Sequence, residues 1–158
     1  IKRKDRKRFP LHYVLIIGLA GIIPDLDILA FWVLHFFGFT IGEVHRTIAH
    51  TIFIPLTFVI IGLIVHNINI PKLGRHKLKL NIIFYCLAIG SLAHLILDGT
   101  FQGYILPLYP FIINPIGLNL FGYLPKELEA IAAPYLDAGL IIIYLIYLEV
   151  KHKISDFI

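Results

Sequence analysis

LNIIFYCLAIGSLAHLILDGT, residues 80–100, carries no formal charge from Leu80 to Leu97 and then meets Asp98. As a helix, that run is about 27 Å long at 1.5 Å per residue, close to the roughly 30 Å of a bilayer's hydrocarbon core. The run therefore reads as a membrane crossing. His94 and Asp98 stand four residues apart near its end, so both side chains project from one helix face. Ionisable groups at such depth are costly unless they have a partner or a task, and the pair marks a functional site.

The whole chain supports the same class. Of its 158 residues, 58% are hydrophobic, and the mean hydropathy is +0.84, where soluble domains are about 45–50% apolar. This is the composition of an integral membrane protein, and residues 1–158 read as a single membrane domain. Cys86 is the single cysteine and lies inside the Leu80 run, which excludes a disulfide framework and a thiolate zinc site. Any metal must take nitrogen and oxygen ligands. The net charge of +4 does not imply nucleic acid, because the basic residues clump beside apolar runs as membrane anchors do.

Along the chain, the basic arm Lys2 to Arg8 leads into an apolar run from Leu11 to Ile23 and then Pro24-Asp25-Leu26-Asp27. No small-residue cleavage site follows, so the run reads as mature structure rather than a signal peptide. Residues Ile28 to Phe39 are apolar and aromatic but too short to cross, which predicts an interfacial or re-entrant helix. A second crossing is expected from about Thr47 to His66, kinked at Pro55. Asn67 to Lys79 reads as a basic loop, and Leu80 to Leu97 as the third crossing. Phe101 to Pro125 is rich in Pro, Gly and aromatic residues. A short amphipathic surface helix over Lys126 to Ala133 and a fourth crossing over Pro134 to Val150 complete an all-α bundle of about four transmembrane helices plus interfacial helices.

Twelve of the 14 Lys and Arg fall in the N-terminal arm, the 67–79 loop and the C-terminal tail. Four crossings put all three segments on one side. By the positive-inside rule that side is cytoplasmic, which places both termini in the cytoplasm of a plasma (inner) membrane protein. Three residue pairs then share the outer end of the bundle: Asp25 with Asp27, His45 with His50, and His94 with Asp98.

Three carboxylates and three imidazoles suit zinc, manganese or iron(II), and suffice for one or two ions if carboxylates bridge. His45 and His50 would diverge on one regular helix, so they converge only if the helix starts near Thr47 and leaves His45 in the preceding loop. Two ions about 3.5–4 Å apart lower the pKa of a bridging water and clamp a phosphoryl group. Arg46 offers a fork for phosphate or carboxylate oxygens. Thr51, Thr100 and Asp137 are candidates for orienting the ligands. Each residue alone has a plainer use, as a helix cap, an interfacial histidine or a structural hydrogen-bonded pair. Metal binding accounts for all six together.

Pro24-Asp25-Leu26-Asp27, His45-Arg46-Thr47-Ile48-Ala49-His50-Thr51 and His94-Leu95-Ile96-Leu97-Asp98-Gly99-Thr100 resemble, in order and spacing, the PDxD, HRxxxH(S/T) and HxxxD motifs of the YdjM-type family of membrane-bound metal-dependent hydrolases. The resemblance covers about Ile22 to Pro110. It brings a distant kinship with zinc-dependent phospholipase C and P1-type nucleases, helical enzymes that cleave phosphodiesters, and so implies a phosphoester substrate. Members of the family usually open with an additional apolar helix carrying a histidine. This chain opens with what resembles the basic loop after that helix, so the resemblance implies that the family's first helix and one ligand are missing. His12 is a poor substitute, since it stands about 20 Å along its helix from Asp25.

The expected function is hydrolysis of a phosphoester bond in a membrane lipid or lipid-linked substrate. Asp25, Asp27, His45, His50, His94 and Asp98 would hold a divalent metal, zinc foremost. Arg46 and Asp25 would act in catalysis, with Arg46 stabilising developing charge. A metal transporter, or a scaffold that uses metal only to join its helices, is the alternative. Transport favours ligands spread along a path at the bilayer midplane, whereas these gather at one end.

Overall fold

Where water is scarce, backbone donors and acceptors must be satisfied within the chain, and a strongly apolar sequence meets that demand by forming helices. The structure, a computed structural model describing residues 11–68, 71–73 and 77–152, is built from helices joined by irregular segments, the longest over residues 103–119, and among those residues the extended pairing is limited to isolated bridges of Leu73 with Leu78 and Ile105 with Ile116. Helix α1 (Leu11–Ala20) leads through a 3-10 turn (Pro24–Leu26) into α2 (Asp27–Leu34), which ends in a second 3-10 turn (His35–Phe37). The four-residue α3 (Ile41–Val44) precedes α4 (Phe53–His66). Helix α5 (Leu80–Leu97) continues as a π-turn over Asp98–Gln102, and a 3-10 turn (Leu120–Tyr123) precedes α6 (Lys126–His152).

Helix α5 is the axis of the fold, with α1 and α4 packed against it. Without a hydrophobic force between helices in lipid, such contacts depend on small residues that let backbones approach. At Gly90 a side-chain carbon would overlap the Ile17 carbonyl oxygen and Ala20, and at Gly62 it would lie 2.6 Å from the Tyr85 ring. The buried Tyr13 hydroxyl accepts the Lys79 backbone N–H at 2.7 Å, just ahead of α5. Because Tyr13 meets Lys79 while Ala20 meets Gly90 and Ser91, α1 and α5 run parallel. Helix α4 returns antiparallel, and His66 at its end contacts Asn81 at 3.0 Å. The 3-10 turn that leads into α6 sits beside the π-turn, where the Phe101 and Phe121 rings meet at 5.5 Å with a 38° tilt. Further along, the Tyr144 hydroxyl donates to the Val14 carbonyl at 3.0 Å. The start of α1, the turn before α5 and the last residues of α6 therefore share one end of the molecule. Asp25, His50 and Asp98 share the other.

Four crossings were expected, and the structure has fewer. Leu80–Gln102 and Lys126–Lys151 are long and apolar enough to span, and α1 with Pro24–Phe37, bent by 48°, makes a third if the pair is one broken span. Helix α4 has 14 residues, about 21 Å, and falls short. The cause lies in residues 45–52, counted as the start of a crossing but folded irregularly, with Arg46 in the left-handed region at φ 62°. Pro55 lies in the first turn of α4, where no intrahelical acceptor awaits its missing N–H, so it forces no kink. The expected surface helix over Lys126 to Ala133 is not separate. Helix α6 runs on through Pro134, as membrane helices often tolerate.

Candidate metal centre

The bend after α1 brings the first pair of carboxylates to the site. Ile23, Leu26 and Asp27 all have right-handed helical backbone angles, so the chain stays helical through the turn. It directs Asp25 and Asp27 to different nitrogens. Asp25 Oδ1 lies 3.4 Å from His50 Nε2 and 3.4 Å from His94 Nε2. Asp27 Oδ1 lies 2.9 Å from His45 Nδ1, while its Oδ2 accepts the Arg46 N–H at 3.2 Å and lies 3.1 Å from His50 Nδ1.

The second pair depends on an irregular loop held by local hydrogen bonds. Glu43 accepts the Thr40 N–H at 2.7 Å and the Thr40 hydroxyl at 2.8 Å, closing a capping box on α3. These bonds, the backbone one foremost, hold the Glu43 carboxyl below its ordinary pKa. The chain then extends at His45 and turns left-handed at Arg46. Neither His45 nor His50 lies inside α4, so the divergence expected of a five-residue spacing on one helix does not arise. Thr47 donates to the Val44 carbonyl at 2.6 Å and Thr51 to the Ile48 carbonyl at 2.9 Å. Both hydroxyls serve the backbone.

The third pair comes from α5 and its π-turn. His94 Nε2 lies 3.7 Å from Asp98 Oδ2 and 3.4 Å from His50 Nε2, and Asp98 Oδ2 lies 3.5 Å from His50 Nε2. His50 is completely buried at 0% exposure, and Asp98 nearly so. Asp25, with 42% of its side chain exposed, is the open edge of the cluster.

These donors fit a metal ion. Asp25 Oδ1, His50 Nε2 and His94 Nε2 form a triangle with 3.4 Å edges. Such a triangle is one face of a tetrahedron whose centre lies about 2.1 Å from each corner, a metal–nitrogen or metal–oxygen bond length. Asp25, His45 and His50 form one group of potential ligands, and His50, His94 and Asp98 a second that shares His50. Charge agrees with geometry. Three carboxylates converge with a single guanidinium, and buried carboxylates are costly without cations. His50 Nδ1 and Arg46 Nε are buried and make no hydrogen bond of good geometry, each facing a carboxylate instead, Asp27 at 3.1 Å and Asp98 at 3.6 Å.

Of the residues expected to orient the ligands, Thr51 is buried beside the cluster and Thr100 lines an apolar hollow next to it. Asp137 is exposed on α6 and is not among the gathered residues. The structure adds Gln102. The Arg46 guanidinium donates to the Gln102 carbonyl at 3.3 Å and to Gln102 Oε1 at 3.1 Å, while Arg46 Nε lies 3.6 Å from Asp98 Oδ2. Gln102 follows Asp98 by four residues, as Asp98 follows His94, at the start of a stretch rich in apolar and aromatic residues. That spacing was the available signal.

No curated protein and no solved structure matches the chain. The family model described as YdjM inner membrane protein matches residues 1–153; with its all-helical architecture and His/Asp cluster, the chain belongs to the YdjM inner membrane protein family.

Proposed function

We propose that the protein is a membrane-bound, metal-dependent hydrolase acting on a phosphoester bond in a lipid or lipid-linked substrate. The observation that carries this reading is the 3.4 Å triangle of Asp25, His50 and His94 donors, with a fixed guanidinium on the far side of Asp98. The triangle suits tetrahedral zinc better than an octahedral ion, whose ligands at about 2.1 Å would stand roughly 3 Å apart. Asp25, His50, His94 and Asp98 would hold one ion, and His45 with a bridging Asp25 carboxylate a second. When bound, the metal supplies a Lewis acid and lowers the pKa of water.

The chain's own groups do the rest. Asp27 engages His45 and His50 from their Nδ1 sides and so favours Nε2 as the ligating nitrogen; in this reading Asp27 orients the ligands and does not itself hold the ion. Arg46, held by Gln102, presents a positive charge to a phosphoryl oxygen. Asp25 at the open edge can exchange a proton with water. The ligands gather at one end of the bundle, and this supports hydrolysis over a transport path, which would place them along the midplane.

The test is metal analysis of the purified protein coupled to release of phosphate or headgroup from a lipid panel. Release that stops on chelation and returns with zinc is the expected result. Intact metal binding with no release from any phosphoester would remove the hydrolase reading.

A further inference from the structure

Two apolar hollows line the helix that carries His94 and Asp98. One, of about 380 Å³, is bounded by Leu92, Ile96, Gly99 and Thr100 together with Ile52 and the Ile105–Leu118 segment. The other, of about 400 Å³, lies between α4 and α5, with Val59 and Tyr85 at its far end. Both include Ile52 and Leu92, so they join into one trough. From Tyr85 to Gly99 it follows α5 for about 21 Å, longer than the roughly 15 Å that one leaflet contributes to the hydrocarbon core.

The trough's position makes it more than a crevice. Gly99 and Thr100 directly follow Asp98, and Ile52 comes two residues after His50, where its N–H donates to the Pro107 carbonyl at 2.9 Å. The segments that hold the metal ligands thus form the trough's near end. Leu56, Ile89, Leu92 and Ile96 along its walls are exposed, so it is open along its length. At one end Arg46 offers a guanidinium beside the His/Asp cluster, and the remainder is apolar. That polarity matches an amphiphile with an anionic head and one hydrocarbon tail.

We infer that the trough is the subsite for a single hydrocarbon chain of the substrate, seated along α5 with its phosphoester at the Asp25–Arg46 end. This rests on the phosphoester reading above and names the substrate class more narrowly. A tail loses little by leaving lipid for the trough, because both are apolar. The trough therefore sets position, and its effect appears as a dependence of kcat/KM on chain length.

The full chain is reconstituted in phosphatidylethanolamine and phosphatidylglycerol vesicles containing phosphatidylglycerol with a diazirine at the end of one acyl chain. On illumination, label is expected at Val59, Leu92 or Ile96 several-fold above Ile142 and Ile143, which are exposed on α6. Equal labelling of both sets overturns the subsite even if no hydrolysis is found, which separates its failure from that of the phosphoester reading. In the second measurement, kcat/KM is followed across phosphoesters of increasing chain length. It should rise with length, and Val59→Trp and Leu92→Trp should each flatten the rise while Ile142→Trp does not. A rise that survives both trough substitutions, or no rise in the unmodified protein, contradicts the inference.

Discussion

Asp27 faces His45 and His50 at their Nδ1 atoms, and Arg46 reaches across the cluster to Gln102 and Asp98. These contacts divide six similar residues into different tasks. An Asp27→Asn variant keeps the shape but loses the charge that makes the imidazoles better ligands, so metal affinity should fall by about 10–100-fold; titration of the stripped protein with zinc measures it. Arg46 carries no lone pair for a metal, so Arg46→Ala should retain the ion and lose turnover by about 10-fold or more. Gln102→Ala should show the same pattern in weaker form, since it frees the guanidinium without removing it. Normal turnover in Arg46→Ala would make that residue only an anchor. All six cluster residues were legible in the sequence, because ionisable groups in an apolar chain stand out. Their division of labour was not, since spacing does not say which ring nitrogen faces a carboxylate. Gln102 was missed because an uncharged amide in an aromatic stretch looks like packing.

At the scale of elements, α5 was readable to the residue because an uncharged apolar run ending in Asp has one reading in a membrane. Helix α4 was misjudged by the six residues from Thr47 to Ile52. Nothing in the composition of that stretch demands a left-handed Arg46, a conformation costing of order 1–3 kcal/mol that persists only when neighbours enforce it. Here Asp27 and Gln102 do so by taking its N–H and guanidinium. The α1–α5 crossing depends on Gly90, where added carbon meets the Ile17 backbone and Ala20. Gly90→Val should therefore destabilise the fold by roughly 1–3 kcal/mol or more, as overpacking against an unyielding neighbour does. A lowered thermal midpoint, with metal loss following unfolding, is the expected observation; an unchanged midpoint would mean that the helices separate without cost.

Over the whole molecule, the start of α1, the turn before α5 and the last part of α6 lie at the opposite end from the His/Asp cluster. Tyr13 with Lys79, and Tyr144 with Val14, fix that arrangement. The basic residues Lys2 to Arg8 and Lys153 lie outside the described residues. With Cys86 replaced, cysteines placed at Lys77 and Lys153 should be shielded from an impermeant thiol reagent in intact cells, and one at Lys126 should react. Labelling of Lys77 and Lys126 from the same side would contradict the shared depth of His50 and His94. The central claim is that these pairs form a metal centre, and mass spectrometry of bound metal in the purified protein tests it most directly. The unmodified chain and Arg46→Ala should each carry at least one divalent ion, while His50→Ala, His94→Ala and Asp98→Ala should lose it. Equal metal content in all five proteins would contradict the account.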